Sequence, residues 1–176
     1  HRAWRGRHIG TGHAPAHASQ QQPFHRDVTM TKTPQQNEAP LYASLMGLGG
    51  LIPFFLCAGA AHSGVSPWNA LAVVACGIYG SIILSFTGAV HWGLAMQGDR
   101  HPKWFIWSVM PAIYAWLPVV VFEPGLTLLA LVPGFFLSWL VDCRAAQDGL
   151  LPAWYMRLRH GLTAGAVICL SALLLA

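Results

Sequence analysis

The stretch WNALAVVACGIYGSIILSFTGAVHWGLAM, residues 68–96, contains no Asp, Glu, Lys or Arg. As one helix at 1.5 Å rise per residue it is about 43 Å long, more than the ~30 Å hydrocarbon core of a bilayer. It is also patterned. Gly77, Ser81, Ser85 and Gly88 recur every three or four residues, and on a 100° wheel His91 continues their stripe. Helices in lipid gain little by burying Leu against Leu; they associate where small side chains let backbones approach. This face is therefore expected to pack against other helices, with His91 directed into the bundle and Trp92 at the interface.

Four further apolar runs flank it, giving expected spans at 41–61, 68–96, 104–122, 125–141 and 158–176. The fourth is short. The fifth repeats a small-residue spacing with Gly161, Gly165, Cys169 and Ala172. Charged residues make up only 9% of the 176-residue chain against 55% hydrophobic, and a soluble domain carries roughly 25% charged residues. The expected fold is an all-α bundle of five transmembrane helices. Glu123-Pro124-Gly125 reads as a tight turn, making spans three and four an antiparallel hairpin. Trp104 and Trp107, and Trp154 with Tyr155, suit the headgroup zone.

Charge placement orients the bundle. Five spans put the tail and the loops at 97–103 and 142–157 on one side, and that side holds all ten Lys and Arg residues. The excess of positive charge predicts the N-terminus inside, in the cytoplasm or matrix, and the C-terminus outside. The bilayer is a bacterial cytoplasmic membrane or, as the alternative, a mitochondrial inner membrane.

Residues 1–40 are polar and rich in Gln and His, and are expected to be disordered. The first Met is Met30, so residues 1–29 read as an upstream or appended extension, with an Arg-rich transit peptide as the alternative. His1, His8, His13, His17 and His25 are irregularly spaced, and no metal site is expected there. The basic residues form no stripe interleaved with aromatics, which excludes a nucleic-acid partner. Cys57, Cys76, Cys143 and Cys169 form no CxxC pair and read as small buried side chains.

Ionisable groups collect at one end of the expected bundle. His91, Asp142, His160 and Arg144 form the candidate polar cluster, either handling protons or ligand or tying helices together. Pro53, Pro111, Pro118 and Pro133 lie inside spans, where each frees a carbonyl one turn back. Broken helices of this kind can mark transport sites, although no ionisable residue is expected beside them. There is no nucleophile elbow, HExxH, P-loop or dinucleotide glycine pattern, so no catalytic residues are expected.

The pieces GLIPF (50–54), YGSIILSFTGAVHWG (79–93) and PAWYMRLRHGLT (152–163) carry a resemblance. From about residue 40 to the end, the chain resembles the transmembrane protein 69 family, multi-span proteins of bacteria and mitochondria. The resemblance implies an integral inner-membrane protein and transfers no residue roles. The favoured function is an accessory, assembly or structural subunit of a larger membrane complex. Its partners would be the lipid bilayer and other membrane subunits or further copies of the chain. One alternative is a small transporter or proton-linked carrier using His91 and Asp142. The other is a haem- or quinone-binding protein; no cofactor is otherwise expected.

Overall fold

A computed structural model describes residues 39–97 and 102–176. The expectations for the N-terminal tail and for most of the loop at 97–103 lie outside these residues. The described chain folds into α1 (Leu41–Gly49), α2 (Ile52–His62), α3 (Trp68–Gln97), α4 (Pro102–Val121), α5 (Pro124–Gln147) and α6 (Ala153–Leu174), with no strand among the described residues. The protein is all-helical.

Four stretches are long and apolar enough to cross a membrane: Leu41–His62, Trp68–Met96, Pro102–Val121 and Pro124–Gln147. The fifth rod, α6, has 22 residues, but Arg157, Arg159 and His160 lower the apolar character of its first two turns. It packs against α5 and α2 and touches α1 and α3.

The first span is not one helix. Pro53 has no N–H to give the carbonyl one turn back, and it sits in the first turn of α2 rather than within a continuous rod. The chain breaks at Gly50 and Leu51. Tyr79 of α3 donates its hydroxyl to the Gly50 carbonyl at 2.8 Å, satisfying an oxygen at the break. In contrast, Pro111 and Pro118 stay inside α4, and Pro133 inside α5.

The expected fourth span stops too early. Asp142 does not terminate α5, which continues to Gln147. Proline starts α5, with Glu123 as its extended N-cap residue, so the chain reverses where the sequence suggests. Thr127 donates its hydroxyl to the Pro118 carbonyl, and Tyr114 donates to that of Ala130, which fixes α4 and α5 as antiparallel neighbours.

Central α3 packs against α2, α4 and α5. Its buried stripe runs Ala72, Cys76, Gly80, Leu84, Thr87, Gly88, His91 and Ala95, the helical spacing expected of an inward face. Helices α3 and α5 run parallel, since Gly77 meets Thr127, Gly80 meets Leu131 and His91 meets Asp142. The apolar core lies between α2, α3, α5 and α6, around Phe54, Leu84, Leu131, Phe135 and Leu170.

Close approach is concentrated at a few glycines. A Cβ on Gly88 would collide with the carbonyl oxygen of Ser108 in α4, and one on Gly165 would lie 2.8 Å from Leu51. Gly77 is in ordinary contact with Thr127, while Ser81 and Ser85 face Trp116 and Val119 of α4 and bond back to their own helix. Gly161, expected on a packing face, is exposed, and nothing approaches it among the described residues. The inward stripe of α6 is Met156, Arg159, Thr163, Ala166, Leu170 and Leu173, and Gly161 lies two residues, about 200°, away from Arg159. Gly80 and Gly134 are tight sites that the sequence reading did not single out; a Cβ on Gly134 would come within 2.7 Å of Leu84.

Candidate functional site

At one end of the bundle α3, α5 and α6 each turn polar side chains inward. Asp142 is wholly buried, His91 is 1% exposed and Arg159 5%. Each lies five or six residues inside its helix, about 8–9 Å from the helix end. They are thus screened from water, and also from lipid by the helices around them.

Arg159 Nε donates to Asp142 Oδ2 at 2.5 Å, and its Nη2 donates to Ser138 Oγ at 2.9 Å. Ser138 Oγ is 2.7 Å from Thr87 Oγ1, and Thr87 donates its own proton to the Leu84 carbonyl, also at 2.7 Å. Tyr155 approaches Asp142 Oδ2 at 3.5 Å. One carboxylate, one guanidinium and two hydroxyls therefore join three helices. Desolvating such a pair costs several kcal/mol per ion, and these added hydrogen bonds help offset it.

His91 completes the group less tightly. Its Nε2 is 3.3 Å from Asp142 Oδ1, within ion-pair distance but too bent for a full hydrogen bond, and neither ring nitrogen has a hydrogen-bond partner. The ring lies against Trp104, with centroids 5.5 Å apart and planes 16° from parallel. Trp104, in the first turn of α4, is buried against His91, and the Lys103 ammonium sits 4.9 Å from its indole centroid. Trp92 remains half-exposed and packs edge-on against Phe105.

Of the four residues proposed for the cluster, His91 and Asp142 come together and the other two do not. Arg144 follows Asp142 by two residues, so it lies on the opposite, exposed face of α5. His160 follows Arg159 by one, and its exposed ring bonds the Met156 carbonyl of its own helix and meets the edge of Trp139. The missed member is Arg159. An aspartate inside an apolar helix calls for a cation at the same depth, but Arg157 and Arg159 both stand at the start of the last apolar run, and the sequence does not say which of them turns inward.

Two cavities flank the network. One, of about 390 Å³, lies between α3, α4 and α5, bounded by Leu84, His91, Trp107, Pro111, Tyr114 and Ser138. The other, of about 550 Å³, lies between α1, α2, α3 and α6 and reaches Thr87, Tyr155 and Arg159 from the opposite side. The proline pattern and the histidine, separate in the sequence, meet in the first cavity through Pro111. Among the described residues no three His, Cys, Asp or Glu side chains converge as a metal site.

Long apolar helices around a buried ion pair define a polytopic membrane protein. The chain belongs to the family described as protein of unknown function (DUF3429), which matches residues 39–175. It is similar to transmembrane protein 69 of Xenopus tropicalis, 34% identical over 143 residues, covering 76% of this chain and 53% of that protein. The chain thus spans about half the length of the curated relative it matches. No solved structure matches it.

Proposed function

We propose that the protein binds a lipid-soluble small molecule with an oxygen-bearing head, of the quinone or isoprenoid type, and does so as an accessory component of an inner-membrane assembly. One observation carries this reading: an apolar cavity between α3, α4 and α5 whose buried end is formed by a histidine with no hydrogen-bond partner. Ligand sites are mostly apolar with a few placed polar groups.

The carrier alternative receives less support, because the Asp142 charge is already matched by Arg159 at contact distance. Haem receives less too, since His91 lies flat on Trp104 and His160 faces away from it. The Lys and Arg asymmetry supports an N-terminus inside and a C-terminus outside. A eukaryotic relative is compatible with the mitochondrial alternative to a bacterial cytoplasmic membrane.

The test is solvent extraction of protein purified in mild detergent, followed by mass spectrometry. A lipid-soluble, non-phospholipid molecule near one per chain is expected, and it should be lost in Met110→Trp, which fills the cavity from its half-exposed rim. Extracts of the two proteins that do not differ would sink the reading.

A further inference from the structure

Arg159 belongs both to the polar network and to the larger cavity. A guanidinium carries five N–H donors. Its Nε donates to Asp142 Oδ2 and its Nη2 to Ser138. Nη1 has no hydrogen-bond partner among the described residues, yet it is not one of the sealed, unpartnered polar atoms of the interior, so it keeps open surface. The side chain as a whole is 6% exposed. Of the two cavities beside the network, Arg159 lines the one of about 550 Å³ between α1, α2, α3 and α6, and not the one bounded by His91. The free N–H groups of Nη1 therefore lead into the larger cavity.

The walls there are apolar, with Met46, Phe54, Ile83 and Leu162 among them. Thr87 and Tyr155 also reach the cavity, but Thr87 donates to the Leu84 carbonyl and Tyr155 to Asp142. Trp154 stands five residues, about 8 Å, nearer the start of α6. At the depth of the network, the uncommitted donors are those of Arg159.

Depth and charge narrow the occupant. Trp154 and Tyr155 suit the interfacial zone, which is about 5–8 Å thick in each leaflet. Arg159 lies six residues past Ala153, about 9 Å into the helix, at the inner edge of that zone, where glycerol esters give way to acyl chains. Asp142 already balances the guanidinium at 2.5 Å, so a phosphate or carboxylate here would set a second anion beside it without a second cation. A neutral carbonyl adds no charge and accepts from Nη1 in a charge-assisted bond.

We propose that this cavity holds one acyl chain of a bilayer glycerolipid, whose ester carbonyl accepts from Arg159 Nη1. The site is independent of the small-molecule reading above, which concerns the opposite side of the network. Helix α1 buries no residue of its own and meets α6 at Gly47, so the acyl chain fills the gap that the two helices leave.

The test places the full chain in nanodiscs holding equal amounts of a diester phosphatidylcholine and the diether of the same chain length. The protein is then moved to mild detergent, and retained lipid is read by native mass spectrometry. About one lipid per chain is expected, with the diester favoured at least tenfold, because the diether lacks the carbonyl and so loses a hydrogen bond to a charged group. Val90→Trp, which fills the cavity from a half-buried position on α3, should lose the adduct. Asp142→Asn/Arg159→Met removes the Nη1 donors and should erase the preference for the diester. No retained lipid, equal retention of the two lipids by the wild type, an unchanged adduct in Val90→Trp, or an ester preference that survives the double variant each overturns the proposal. The wild-type comparison stands by itself if a variant folds poorly.

Discussion

At one end of the bundle Asp142, Arg159, Ser138 and Thr87 link α3, α5 and α6 by directional bonds. In the other half the same three helices meet through Cys76, Leu128, Leu131, Cys169 and Leu170, with no ionisable carboxylate or base among these core residues. The two halves constrain the fold differently. In lipid an apolar contact has apolar competitors on every side, so turning a helix about its axis exchanges one Leu contact for another at little cost. A buried ion pair has one partner at one depth. The polar end therefore sets which faces meet, and the apolar half adds packing to faces already chosen.

The largest effect that tests this contrast is expected from Arg159→Met. It leaves the Asp142 carboxylate buried without its cation, a loss of about 3–5 kcal/mol in unfolding titrations in mixed micelles. The double variant Asp142→Asn/Arg159→Met should recover most of that loss. A single variant within experimental error of wild type would show that the ion pair does not hold the helices.

Leu131→Ala, in the apolar half, should cost about 2–4 kcal/mol through the cavity it leaves. Cysteine pairs engineered between α3 and α5 should cross-link in the wild-type pattern in Leu131→Ala and in a scrambled one in Arg159→Met. The same pattern in both variants would remove the distinction between the halves.

The smallest effect is expected from His160→Ala. Its exposed ring bonds only its own helix and meets Trp139 from outside the core, so stability should change by no more than about 0.5 kcal/mol. A loss several times larger would return His160 to the polar cluster.

Much of the architecture is legible in the chain because lipid imposes a simple length and polarity requirement. The inward phase of α3 is legible too, since Gly77, Ser81 and Gly88 are small and His91 continues their stripe. The phase of α6 is legible only in part, because Gly165 and Cys169 of its small-residue stripe pack inward and Gly161 does not. Gly161 is exposed, whereas the inward face carries Arg159, a residue that composition alone assigns to the membrane surface. Adjacent positions on a helix differ by 100°, so choosing His160 over Arg159 turns the whole helix. Likewise, Asp142 reads as the end of a span only while its partner is unknown. Gly134 gives no signal within its own helix, because what makes it tight is Tyr114 from α4 and Leu84 from α3.

The break beside Gly50 bears on the bilayer as well as on the fold. Helix α3, with 30 residues and ~45 Å of length, meets a thinner membrane by tilting. The first crossing is built differently, because α1 and α2, of 9 and 11 residues, are rods of about 13 and 16 Å that meet at Gly50 and Leu51, both of which keep right-handed helical angles. A thinner membrane therefore asks the two crossings to tilt together, because the Tyr79 hydroxyl of α3 holds the Gly50 carbonyl at that junction.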